Sequence, residues 1–166
     1  MRLFIASPVI IDNYASIKED FKDIIEGRWT DEKKLHLTWV FLSKHPTLGD
    51  TKEKMLALTN LESEVEVRKL SFFGVPPRIL FAQAEQKVLY EKAREFQKVG
   101  FELHHFKPHI TLCRIQKIHD YKAYKEKMKE YNEKSLGIIL PKIILYESKR
   151  TSKGFDYQSR YEITNA

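Results

Sequence analysis

Short apolar runs alternate with amphipathic stretches along this chain, and the hydrophobic period switches repeatedly between strand-like and helix-like. Met1 to Ala6 predicts a strand that Pro8 interrupts, and from Asn13 a helix is expected because Tyr14, Ile17, Phe21, Ile24 and Ile25 recur at helical spacing. Leu35 to Leu42, branched and aromatic, predicts a buried strand. Asp50 with Glu53 three residues on resembles a capping box, opening a helix through about Leu61. Val65, Val67, Leu70 and Phe72 predict a strand whose alternation slips at Arg68-Lys69, as at a bulge. Gly74-Val75-Pro76-Pro77 resists helix and central strand alike, so it is expected to mark the crossing between two halves.

The second half repeats the first. Arg78 to Ala84 predicts a strand, Glu85 to Val99 a helix stopped by Gly100, and Pro108 to Arg114 a strand. Tyr121, Tyr124, Met128 and Tyr131 predict a further helix, and Ile138 to Tyr146 and Phe155 to Ile163 two strands joined by a basic turn, Glu147 to Gly154. Strand, helix, strand bearing His-x-Thr, helix, strand thus occurs twice, with the two His-x-Thr units 73 residues apart. The expected fold is α+β: one bilobal domain over 1–166, with pseudo-symmetric lobes of about 1–74 and 78–166. Each lobe is an antiparallel sheet backed by helices, and the open faces enclose a central cleft.

Residues two apart on a strand share a face, so His36 stands with Thr38, and His109 with Thr111, opposite apolar neighbours. A single such histidine is usually a packing residue. Two polar pairs at equivalent places in a duplicated unit are costly to bury without partners, and lining a wet cleft removes that cost. Two imidazoles near neutral pKa can also share general base and general acid roles, with the threonine hydroxyls available as donors to a developing oxyanion.

Composition narrows the setting. Among 166 residues, Lys and Arg outnumber Asp and Glu by 29 to 23, and residues 116–166 hold 11 basic against 7 acidic side chains, which favours anionic partners. Lys149, Arg150 and Lys153 crowd a predicted hairpin tip where RNA phosphates could dock, although a solvated turn is the commoner use. The one cysteine, Cys113, excludes an intrachain disulfide and a thiolate zinc cage, and although motif parity points it to the cleft face, a buried inert thiol is the better reading. No run reaches the ~20 apolar residues of a membrane span, and Leu3 to Ile11 lacks a signal-cleavage pattern; with a single cysteine a reducing cytoplasm is the default, and a monomer is expected. No metal or cofactor is expected, since the motifs lack carboxylate neighbours and supply two ligands at most.

The two His-x-Thr units, together with Arg2-Leu3-Phe4-Ile5-Ala6, Pro77-Arg78-Ile79-Leu80-Phe81 and Phe106-Lys107-Pro108-His109-Ile110-Thr111-Leu112-Cys113-Arg114, resemble the 2H phosphoesterases. Within them the chain is similar to the RNA 2′,3′-cyclic phosphodiesterase branch, also called 2′-5′ RNA ligase. The resemblance implies metal-independent hydrolysis of RNA or nucleotide 2′,3′-cyclic phosphates to 2′-phosphates, with reversible 2′-5′ ligation as a companion reaction. It also implies His36 as acid, His109 as base, and Arg114 as a phosphate ligand. Five residues from His109 is an odd spacing, so a regular strand aims Arg114 away from the cleft unless a bulge or strand end brings it round.

Weaker candidates for substrate contact are His45, His104, His105 and His119, and Phe4 or Phe106 as base-stacking rings, for which core packing is the commoner use. A competing class is a nucleotide- or RNA-binding module of the same fold without turnover.

Overall fold

The computed structural model describes residues 2–42 and 47–164, and these contain nine strands and four α-helices. The order is β1 (Arg2–Ile11), α1 (Tyr14–Phe21), β2 (Ile25–Trp29), a 3₁₀ turn (Glu32–Lys34), β3 (His36–Leu42), α2 (Leu48–Met55), β4 (Val65–Phe73) and β5 (Ile79–Gln83). Then come α3 (Lys87–Lys98), β6 (His109–Ile118), α4 (Tyr121–Glu130), β7 (Ser135–Ile139), β8 (Ile144–Thr151) and β9 (Gly154–Glu162). No helix among them is long and apolar enough to cross a membrane.

All strand pairs are antiparallel and fall into two sheets, β3-β1-β8-β9 and β2-β6-β5-β4-β7, the expected α+β architecture. β1 joins them: its first part pairs with β3 and β8, while residues 9–11 pair with β7. Each sheet takes strands from both sides of residue 74. Gly74 to Pro77 is the turn of the β4–β5 hairpin, closed by Arg78 N–H donating to the Phe73 carbonyl at 2.8 Å, and so lies inside one sheet. Gly74 supplies its φ of 98°, a left-handed conformation that L side chains resist.

The helices cross over as well. Trp39 of β3 stacks on Phe96 of α3 at 5.3 Å, and Lys54 of α2 donates to the Gly100 carbonyl after α3, so α2 and α3 lie behind the first sheet. Phe21 of α1 meets Tyr124 of α4 at 6.1 Å and Trp29 of β2 at 6.3 Å, so α1 and α4 lie behind the second. The buried apolar core runs continuously between these layers.

Several boundaries differ from the sequence reading. The α2 cap is Thr47, whose Oγ1 accepts from Asp50 N–H at 3.1 Å, and the helix ends at Met55, well short of Leu61. α1 stops at Phe21, and Ile25 opens a strand where the helical spacing predicts a continuing helix. The long-range pairing with β6 overrides the local period there, and Gly27 permits it because a Cβ would sit 2.4 Å from the Arg114 carbonyl oxygen. The expected strand Ile138 to Tyr146 is two strands, β7 and β8, separated around Pro141, which cannot donate to a ladder. The slip expected at Arg68-Lys69 is present, with Lys69 at φ 68°.

Candidate active site

β3 and β6 belong to different sheets yet run beside each other, bringing the two His-x-Thr units together. Each histidine is set in the same way. His36 Nδ1 donates to the Lys34 carbonyl at 2.7 Å, and His109 Nδ1 donates to the Lys107 carbonyl at 2.7 Å. A carbonyl only accepts, so Nδ1 carries the proton in both neutral rings and the lone pair lies on Nε2. Neither Nε2, nor the hydroxyl of Thr38 or Thr111, has a partner among the described residues. Aromatic rings wall each imidazole: Phe4 and Tyr157 lie 5.4 and 5.6 Å from His36, and Phe73 and Phe81 lie 5.0 and 5.4 Å from His109. Burial holds His36 below the ordinary histidine pKa, opposed by the Lys34 carbonyl and reinforced by charge on His109.

The duplication extends to a bulge in each motif strand. In β3 the register passes from Ala6↔Thr38 to Ile5↔Val40, leaving Trp39 as the extra residue. In β6 it passes from Phe81↔Thr111 to Leu80↔Cys113, leaving Leu112. Parity therefore flips after Thr38 and after Thr111. Arg114 returns to the face of His109 and Thr111, close enough to Tyr157, which lies against His36, for its charge to act on that phenol. The same flip overrides the simple parity of Cys113, which is the expected buried thiol: it lies fully in the core, and burial pushes it up to about 12.

In β3 the position equivalent to Arg114 is Phe41, 71% exposed. Regular alternation predicts Phe41 on the apolar face with Leu37 and Trp39, and the bulge at Trp39 turns it out instead; sequence reading passed over Arg28, which stands directly opposite Arg114 in the β2–β6 ladder with no carboxylate partner among the described residues. It passed over Tyr146 and Tyr157 too, which with Lys34 and His36 line a cavity of about 280 Å³ at the cleft margin. Nothing local marks a tyrosine 121 residues from His36 as its neighbour.

The weaker candidates fall elsewhere. Phe4 is buried beneath His36, and Phe106 stacks on Trp39 at 5.6 Å, so both pack. His104 and His119 lie at the surface beside Glu102 and Glu26, at 3.7 and 3.6 Å, and exposed His105 takes a left-handed turn with φ 51°. His45 lies outside the described residues. Among those residues no three His, Cys, Asp or Glu side chains gather as a metal site.

The RNA 2′,3′-cyclic phosphodiesterase of Methanocaldococcus jannaschii is 27% identical, over 95% of this chain and 97% of its own. That of Aeropyrum pernix is 25% identical, over 82% and 85%. Among solved structures, a Thermus thermophilus protein superposes with TM-score 0.71 at 22% identity, covering 98% of this chain and 97% of its own. E. coli LigT complexed with 3′-AMP superposes with TM-score 0.68 at 17% identity, covering 99% and 98%. No family model matches. Over most of its length the chain is thus similar to two proteins named RNA 2′,3′-cyclic phosphodiesterase, and it has the LigT fold.

Proposed function

We propose that this protein opens 2′,3′-cyclic phosphates of RNA or nucleotides to 2′-phosphates, with His36 and His109 as its acid/base pair and without a metal or cofactor. The observation that carries the reading is the matched presentation of the two rings, each pinned at Nδ1 and free at Nε2. A ring so pinned accepts a proton at Nε2 when neutral and donates one from Nε2 when charged. Water attacks phosphorus and gives its proton to one Nε2. The bond from phosphorus to O3′ breaks, and O3′ takes the proton of the other Nε2, leaving a 2′-phosphate and a 3′-hydroxyl. An RNA 5′-hydroxyl in place of water would form the 2′-5′ link.

The lowered pKa of His36 bears on which ring does what. Burial favours neutral His36, the form that takes the proton of water, and His109 then serves the leaving oxygen. This is the reverse of the assignment implied by the family resemblance. An assay with a 2′,3′-cyclic mononucleotide, its product identified by phosphorus NMR, is expected to yield the 2′-phosphate. The acid limb of kcat/KM is expected below 6.5, matching His36 titrated by NMR. Release of the 3′-phosphate would overturn the cleavage scheme, a His36 titrating above 6.5 would exchange the roles, and binding without turnover would make the protein a recognition module.

The hydroxyls of Thr38 and Thr111 donate to the nonbridging oxygens, and the Arg114 guanidinium forks onto the same phosphate. A hydrogen bond to a charged group contributes about 1.5–3 kcal/mol, so Arg114→Ala is expected to lower kcat/KM roughly 10- to 100-fold. Its unfolding midpoint should not move, because Arg114 makes no ion pair among the described residues. A fully active variant would remove Arg114 from the phosphate site.

A further inference from the structure

Beyond the two histidines, the open face of the first sheet continues into β8 and β9. The pairs Pro8↔His36 and Arg2↔Ser148, with β1 regular between them, put Arg2 on the His36 face. Ser148↔Tyr157 and Arg150↔Phe155 carry that face to the hairpin. Tyr157 meets His36 edge-on, with ring planes at 90°. Lys34 Nζ lies 5.7 Å from the Tyr157 centroid and donates to the Phe155 carbonyl, tying the hairpin to the turn before β3. Two residues on, Phe155 is 38% exposed, with the guanidiniums of Arg2 and Arg150 at 5.2 and 6.0 Å from its centroid. None of these three cations has a carboxylate within ion-pair distance among the described residues.

Rings in line with unpaired cations fit one class of ligand. A base can stack on any aromatic face, and the phosphates between successive bases need positive charge alongside. We infer that this face is a track for single-stranded RNA, which leads the nucleotides preceding the cyclic end away from the cleft over Tyr157 and Phe155. The protein therefore acts on oligoribonucleotide ends in preference to mononucleotides. The inference rests on the cyclic phosphodiesterase reading of the cleft and names the substrate class within it.

The test compares a 2′,3′-cyclic mononucleotide with a pentaribonucleotide of the same cyclic terminus, using the protein and its Arg150→Ala/Phe155→Ala variant. The pentamer is expected to show the higher kcat/KM. The variant should lose roughly tenfold of that margin, the size of one lost stack, with mononucleotide turnover unchanged. The salt slope of pentamer affinity should fall by about one for the arginine removed. Equal rates on both substrates overturn the track, as does a variant that keeps the margin or loses both activities in parallel. If neither substrate turns over, the function reading fails separately, and anisotropy of a labelled pentamer ending in a 2′-phosphate decides the track. Salt-sensitive binding weakened in the variant supports it. Binding that the variant leaves unchanged, or that duplex RNA matches, overturns it.

Discussion

Replacing either His36 or His109 by alanine is expected to lower kcat/KM for a 2′,3′-cyclic nucleotide by about 10²- to 10⁴-fold, the range for one positioned proton donor or acceptor. The two losses should not multiply. Each ring is useful only while the other completes the transfer, so the double variant is expected to fall little below the worse single one. Neither change should unfold the protein. Each side chain is only partly buried and makes one hydrogen bond, to a carbonyl at a strand entrance that water can also reach.

His36 carries a predictable sign with pH. Its folded pKa lies below the ordinary 6.5, so the unfolded chain takes that proton first. The stability tied to neutral His36 is fully present above 6.5 and is lost as pH falls through the folded value. His36→Ala should flatten that part of the acid limb. Kinetics with both variants, alongside circular dichroism, check this, and undiminished turnover in either would end the two-histidine mechanism.

Trp39→Ala is expected to cost about 3–5 kcal/mol, against the roughly 5–15 kcal/mol that holds a domain folded. Trp39 is the bulge residue of β3, turned into the core between Phe96 and Phe106, with ring planes 18° and 4° from its own. Its Nε1–H donates to the Oγ of buried Ser7 at 2.8 Å, and that hydroxyl donates to the Lys142 carbonyl, so the indole ties β3 through β1 to the chain entering β8. Alanine leaves a cavity between two rings and strips Ser7 of its donor. Trp39→Phe keeps a ring in the gap and loses the hydrogen bond, so it should cost only about 1 kcal/mol through that bond. Urea unfolding of the three proteins measures both differences. A cost near zero for alanine would mean that the stack does not support β3.

The elements that were readable in advance owe it to local causes. β3 combines β-branched and aromatic content, and β6 β-branched content, with a polar pair at spacing two, and α3 has Leu89, Ala93 and Phe96 on one face with Gly100 after it. β2, and β7 before Ile138, escaped because each is held by ladder partners remote in sequence, β6 for the one, β1 and β4 for the other. For β2 the helical spacing that runs through Ile24 and Ile25 masks what pattern there is.

At the site, the sequence alone determined that His36, Thr38, His109 and Thr111 form two like pairs, because alternation along a strand is a property of the backbone itself. It also posed the Arg114 question in a form that one bulge could answer. Only the tertiary structure decided that Leu112 is that bulge, which turns Arg114 to the open face and Cys113 into the core. Only the tertiary structure, likewise, set Tyr157 against His36 and Arg28 beside Arg114. The reason is physical: which residue a ladder skips, and which strand arrives alongside, depends on partners distant along the chain, whose packing no local period encodes.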